Sequence, residues 1–405
     1  MFTVKNCVIR TGRYPFIKPF VLSGGTITSF LQLFCEIETT DGVLGLGHSG
    51  ISPVWSDKRP DVSFDDKERQ SVELAGFVAG RLAGRSFENP FEAFDFMKAA
   101  ADEFSAAIGL PRLSRYVCLS PIDMAVWDAY ARFRDQNVFE CIAGEFPELG
   151  RFFGAPRDLE VAHTIGVGED PAVELKFAVK HGIRWFKLKL KGNIEDDIRA
   201  IKKFFSVFSG ISPQVILDGN EGYSANDLES LVSALSKEEF FTSVEYIEQP
   251  VSRSGGESVM VAGDTVPVFA DEMVCDCGDL MVARRLGYRG IALKPTAKTL
   301  SETVRMLPLI EEIGFKVSIA DLTNAAPLAY LFHCAFASRI ENRVEGVEIN
   351  SPKFIDNDLQ KRRVKERYRF LFEAAGGKIR MNGIGTGKGL GFDVDLKDIK
   401  QTILT

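Results

Sequence analysis

The stretch Trp185-Phe186-Lys187-Leu188-Lys189-Leu190-Lys191-Gly192 alternates strictly. A strand built from it carries Lys187, Lys189 and Lys191 on one face and Phe186, Leu188 and Leu190 on the other. Buried ammonium groups need acidic partners or lose their protons, so this face predicts carboxylates nearby if the strand lies in a covered sheet. The alternative is a lysine row guarding a solvated sheet edge. Acids follow at three similar points: Ile216-Leu217-Asp218-Gly219-Asn220, Tyr246-Ile247-Glu248-Gln249-Pro250 and Phe269-Ala270-Asp271-Glu272. Each closes an apolar run of strand character. Neighbouring strands lie ~5 Å apart, so Asp218, Glu248 and Asp271 can converge on one cation. All-oxygen ligands without histidine or thiolate favour Mg²⁺. Singly, each acid would serve equally well as a helix cap; three together beside a lysine strand argue for a ligand set. A further run, Ile291-Ala292-Leu293-Lys294-Pro295-Thr296-Ala297-Lys298, brings two more lysines. A divalent ion between lysines suits removal of a proton next to a carboxylate. The ion holds the carboxylate oxygens and stabilises an enediolate, one lysine takes the proton, and another returns it on the opposite face. The base must be neutral part of the time, which neighbouring cations and partial desolvation favour.

These residues need a scaffold. From about residue 158, strand and helix patterns alternate. Strands are expected at Glu160 to Ile165, Trp185 to Lys189, Gln214 to Asp218, Val244 to Glu248, Val268 to Ala270, Gly290 to Lys294, Lys316 to Ala320 and Gly346 to Ile349. Helical patterns between them include Pro171 to His181, Ala225 to Leu235, Asp279 to Leu286 and Leu300 to Ile313. Eight such units give an α/β fold, a (β/α)8-type barrel over 157–375, with functional residues at the carboxyl ends of the strands. A doubly wound open sheet is the alternative, disfavoured because no glycine-rich phosphate loop follows the first strand. Ahead of the barrel, residues 1–150 read as an α+β capping domain. Strands are expected at Thr3 to Arg10, Ser29 to Glu38 and Val43 to His48, and helices at Asp66 to Ala83, Pro90 to Ala107 and Pro121 to Arg134. Ser120-Pro121 has the form of a helix start. The stretches 20–29 and 47–58, and the polar Pro53 to Arg69, read as loops able to cover a site. The glycine-rich segment 376–405 is expected to pack back on the capping domain.

Composition narrows the partners. The 405 residues are 45% hydrophobic with a formal net charge of −7, which leaves no basic footprint for nucleic acid or an anionic membrane. No window is long and apolar enough to span a bilayer and the N-terminus lacks a secretory pattern, so a cytoplasmic location is expected. Seven scattered cysteines suit reduced thiols, and Cys275-Asp276-Cys277 lacks the second pair of a zinc site. Of the four histidines, His333 lies in the apolar run Leu328 to Phe336 and reads as a core residue.

In combination, Phe186-Lys187-Leu188-Lys189, Leu217-Asp218-Gly219-Asn220, Ile247-Glu248-Gln249-Pro250, Ala270-Asp271-Glu272 and the strand ending near Lys294 resemble the enolase superfamily, in its mandelate racemase and muconate lactonizing enzyme branch. Ser120 to Asp128 and Gly387-Lys388-Gly389-Leu390-Gly391 resemble further segments of that family. The resemblance implies Mg²⁺ on Asp218, Glu248 and Asp271, and Lys189 as one acid/base. Lys187 stands beside it, and either Lys294 or Lys298 acts opposite, since these are spaced four apart where the family has three. It also implies capping loops that read a small carboxylate substrate, and a homo-oligomer. The eighth strand, Glu345-Gly346-Val347-Glu348-Ile349-Asn350, matches the Asp-x-Asp of dipeptide epimerases only loosely. Asp321, Asn324, Glu348 and Asn350 are the candidate substrate contacts. The implied outcomes are racemisation, epimerisation, cycloisomerisation or β-elimination. Two other readings stand beside this one: a metal-independent Schiff-base lysine enzyme of aldolase type, and a non-catalytic acid-binding protein.

Overall fold

The computed structural model describes residues 1–22, 25–381, 383–394 and 396–403. The chain opens with β1 (Phe2–Leu22), β2 (Gly25–Thr39) and β3 (Leu44–Ile51), an antiparallel sheet that β4 (Ser86–Phe87) extends in the order β3-β2-β1-β4. β1 runs well past the expected Thr3 to Arg10. Pro15 and Pro19 interrupt the sequence pattern, and the ladder accommodates them in an irregularity between Pro15 and Phe20, where a missing N–H does no harm. The stretch 20–29 is therefore mostly the end of a long hairpin rather than a loop, and its residues 23 and 24 lie outside the described residues. Likewise, 47–58 holds the end of β3 and a helical turn, α1 (Pro53–Ser56).

Three longer helices cover this sheet: α2 (Phe64–Leu82), α3 (Pro90–Ile108) and α4 (Arg112–Phe133). Ser63 and Asn89 cap the first two by accepting from Asp66 N and Glu92 N. The expected helix start at Ser120-Pro121 is wrong, because α4 begins at Arg112 and Pro121 lies inside it. Nearly every residue from Leu113 to Ala131 is buried, so packing outweighs the local cost of the proline. β3 crosses α4 closely, and a Cβ on Gly45 or Gly47 would overlap the helix backbone at Ala125 and Pro121.

The barrel comprises β5 (Leu159–Ile165), β6 (Trp185–Lys189), β7 (Gln214–Asp218), β8 (Val244–Glu248), β9 (Val268–Ala270), β10 (Gly290–Leu293), β11 (Lys316–Ile319) and β12 (Val347–Glu348). All are parallel in the order β11-β10-β9-β8-β7-β6-β5-β12, and Val344 N donating to Val317 O nearly closes the ring. Outward residues pack on helices, as Phe186 does against Phe204 and Phe208. Inward residues change character with height. Ala162, Ile216, Tyr246 and Phe269 fill the lower interior, and charged residues stand two positions later on several of the same strands.

The tail divides its contacts. Lys378–Ile379 pairs with β5 of the barrel. Farther on, Leu390 N donates to Asp128 Oδ1 on α4, while Asp128 Oδ2 accepts from Leu46 N on β3. All seven cysteines are free. No helix among the described residues is long and apolar enough to cross a membrane.

Candidate active site

Register sets the site. Across β6, β7 and β8, Lys189 is level with Asp218 and Asp218 with Glu248. Asp271 follows β9 directly, Lys294 follows β10, Asp321 lies just past β11, and Glu348 closes β12. Inward alternation then aims these side chains into the carboxyl-end mouth of the barrel.

Lys187 is the central counter-charge. Its side chain is 1% exposed, and its Nζ lies 2.7 Å from Glu248 Oε1, 2.5 Å from Glu348 Oε2 and 3.2 Å from Asp218 Oδ2. Burial opposes its charge, yet the three carboxylates hold it protonated well above the usual lysine range. Lys189 Nζ lies 2.5 Å from Asp218 Oδ2. Opposite, Lys294 Nζ is 2.7 Å from Asp271 Oδ2, and Lys298 Nζ donates to Asp271 O at 2.6 Å and Oδ1 at 2.9 Å. Burial pushes the Glu248 carboxyl up to about 8, the charges of Asp218 and Asp271 adding to it against Lys187. Asp271 is held below its ordinary value, since Lys294 and Lys298 outweigh its burial. Lys191 lies beyond the strand end and is exposed, so it takes no part.

A cavity of about 40 Å³ sits between this floor and the capping sheet. Lys189 and Lys294 both line it, from strands on opposite sides of the barrel; Lys298 does not. The roof is Phe20, Ile27 and Phe30 from the hairpin, with Ser52 and Trp55 from the β3–α1 segment. Trp55 lines the cavity from within the stretch 47–58, which the sequence marked as able to cover a site without giving this residue a role of its own. Its ring lies 4.8 Å from Lys294 Nζ, and Arg253 Nη2 donates to its carbonyl at 2.8 Å while pairing with Glu221. A lone tryptophan in a polar stretch was the only signal.

Of the candidate substrate contacts, Asp321, Glu348 and Asn350 line the cavity, whereas Asn324 stands behind it, accepting from Thr296 Oγ1. Glu348 is a counter-ion of Lys187 rather than a free acid. Asn350 Nδ2 donates to Asp321 Oδ1 at 2.9 Å and Glu348 Oε1 at 2.6 Å, and its backbone N donates to Asp321 Oδ2. Burial, reinforced by Glu348, pushes Asp321 up to about 7.

The residues fit a hard divalent cation by chemistry. Glu248 Oε2 is buried without a hydrogen-bond partner, an expensive state for a carboxylate oxygen, and it sits among mutually repelling acids. Among the described residues, no three acidic, histidine or cysteine side chains are gathered as a ready metal cage. The lysine ammoniums occupy Asp218 and Asp271 instead, so a cation would have to displace them.

Comparisons with known proteins agree with this architecture. Residues 172–399 match the family model described as "Enolase C-terminal domain-like", and residues 5–143 match "Mandelate racemase / muconate lactonizing enzyme, N-terminal domain". An N-succinyl-L-Arg/Lys racemase of Bacillus cereus is 22% identical, over 86% of this chain and 87% of its own. A hydrophobic dipeptide epimerase of Enterococcus faecalis is 24% identical, over 69% and 70%. Among solved structures, a dipeptide epimerase from Enterococcus faecalis complexed with Mg and the dipeptide L-Leu-L-Tyr superposes with a TM-score of 0.72 at 19% identity, covering 96% of this chain and 99% of that one. A muconate lactonizing enzyme from Pseudomonas fluorescens gives 0.73 at 19% identity, covering 99% of each.

Proposed function

Because the chain belongs to the enolase superfamily, in its mandelate racemase and muconate lactonizing enzyme branch, we propose that it moves the proton on the carbon next to a carboxylate, as a racemase or epimerase. One observation carries the reading: Lys189 and Lys294, from opposite sides of the barrel, line a single cavity above a row of three carboxylates. Two amines on opposite sides of a trigonal carbon are what inversion requires, one removing the proton and the other returning it. The racemase and epimerase relatives support that outcome over elimination.

Asp218, Glu248 and Asp271 would hold Mg²⁺, which supplies positive charge against the negative charge that develops on the substrate carboxylate. The residues themselves do the rest. Lys187, Lys189, Lys294 and Lys298 are each ion-paired with one or more of Asp218, Glu248, Asp271 and Glu348. The proton-removing amine is assigned to Lys189, paired with Asp218 on one side, and the returning acid to Lys294, paired with Asp271 on the far side. Lys187 keeps the acids level, and Lys298 fixes Asp271. In this reading the N-terminal unit closes the mouth through Phe20, Phe30 and Trp55, which excludes bulk water from the neutral amine.

The test is solvent exchange. With Mg²⁺ in D₂O, a panel of α-substituted carboxylates is expected to gain deuterium at the α-carbon of at least one member, with loss of exchange in chelator. No exchange across the panel would refute the reading. Exchange that persists in chelator, with borohydride trapping of a keto acid, would turn it toward a Schiff base.

A further inference from the structure

The alternation that sends Lys187 and Lys189 into the barrel sends Leu188 outward, and Leu190 follows it just past the strand end. Against these leucines lies a cleft of about 220 Å³, walled by the helix Ile194–Phe208 and the turn after β5. It is larger than the cavity of about 40 Å³ over the acids. Ile165, Leu188, Leu190, Ile201 and Phe204 form its apolar floor, each under a tenth exposed, while Lys191, Ala200 and Lys203 stand exposed at its lip. Two carboxylates also line the cleft, and both are saturated. Glu169 accepts from Lys18 Nζ and Lys353 Nζ, each at 2.6 Å, and from Gly166 N at 2.7 Å. Asp197 accepts from the backbone N of Lys191, Gly192 and Asn193 and from the Tyr223 hydroxyl. The lysine head groups are less engaged. Lys191 Nζ meets Asp196 only at 3.4 Å, an acid already shared with Arg199, and Lys203 makes no ion pair among the described residues.

We propose that this cleft is a second binding site, for a carboxylate carried on an unbranched alkyl chain. The chain lies on the leucine, isoleucine and phenylalanine floor, where each methylene taken from water adds to binding. The carboxylate stays at the lip between Lys191 and Lys203, whose stems run along apolar surface and whose ammonium groups face solvent. Charge decides between amphiphiles, because a cationic head would meet those two lysines while Glu169 and Asp197 are already taken. A polar metabolite suits the cleft poorly, since its floor offers no hydrogen-bonding side chain. Lys189 is the one residue that lines both this cleft and the cavity over the acids, so the chain would sit directly behind the strand that carries it. The proposal calls on no catalytic group and stands apart from the proton-transfer reading.

The experiment titrates the full-length protein with hexanoate, octanoate and octyltrimethylammonium by isothermal calorimetry. Octanoate is expected to bind, and hexanoate, two methylenes shorter, to bind about tenfold more weakly. Octyltrimethylammonium is expected to bind more weakly than octanoate. A carboxylate probe also has access to the barrel mouth, so two variants fix its location. Ala200→Trp changes an exposed helix position and fills the cleft; it is expected to abolish octanoate binding while the thermal midpoint stays at the wild-type value. Lys203→Glu is expected to weaken octanoate and strengthen octyltrimethylammonium. Octanoate binding that survives Ala200→Trp lies elsewhere and overturns the proposal. Equal affinity for the two octyl probes, octanoate affinity unchanged in Lys203→Glu, or no binding at any concentration below micelle formation would overturn it as well. None of these results bears on α-proton exchange, which is read separately.

Discussion

A single ammonium, Lys187, stands between three acids that would otherwise repel one another in a buried site. Replacing it by methionine keeps the stem and deletes the charge. Removing one partner of a buried ion pair costs about 3–5 kcal/mol, so Lys187→Met is expected to lower the urea unfolding free energy at pH 7 by an amount of that order. A loss under about 1 kcal/mol would mean the acids are not charged together. Lys189 is a different case, since its contribution is to chemistry. Lys189→Met is expected to lose about 10²–10⁴-fold in exchange rate while its urea midpoint stays close to wild type. His333 gives a pH test. It is fully buried, its Nε2 donates to Glu348 O at 2.9 Å, and burial depresses its pKa to about 4. The unfolded chain therefore binds the proton first as pH falls below ~6.5, and native stability is lost toward the folded value. Relative to wild type, His333→Phe is expected to gain about 2 kcal/mol between pH 7.5 and pH 5, read from paired denaturation curves. An unchanged difference would refute the assignment.

At the scale of elements, the barrel strands were legible because their alternation is undisturbed: β6, β7, β8 and β9 fall where the pattern puts them. The acids at their ends were legible only together, since any one of them could cap a helix while three at successive strand ends beside a lysine strand point to a ligand set. What local sequence hid is tertiary. Pro121 reads as a helix start, yet burial along α4 carries the helix through it. Pro15 and Pro19 break the strand pattern, yet a register irregularity absorbs them. Glu348 reads as a substrate contact, and only the closing of the ring brings it to Lys187. Trp55 was legible only as part of a stretch able to cover the site, because its own place depends on β3 and α1 being laid over the mouth. The close crossing of β3 and α4 allows a test of that placement. Gly47→Ala adds one methyl against the Pro121 carbonyl, where neither backbone can yield cheaply. Overpacking of this kind costs about 1–3 kcal/mol, and it should appear as a lowered thermal midpoint. A midpoint equal to wild type would mean the two elements sit farther apart.

For the whole molecule, the cap and barrel form one continuous apolar core, with the polar mouth enclosed between them. Asp128 ties strand, helix and tail together, and Arg253 reaches from the barrel to the Trp55 carbonyl. Each lysine of that mouth is paired with a carboxylate, an arrangement suited to exchanging internal pairs for a divalent ion and a substrate. The most direct test is anomalous scattering from crystals grown with Mn²⁺ in place of Mg²⁺. The account predicts one strong peak bonded to oxygens of Asp218, Glu248 and Asp271, with Lys189 drawn off Asp218. A peak elsewhere, or an empty mouth with Lys189 and Lys294 still on their carboxylates at saturating Mn²⁺, would contradict it.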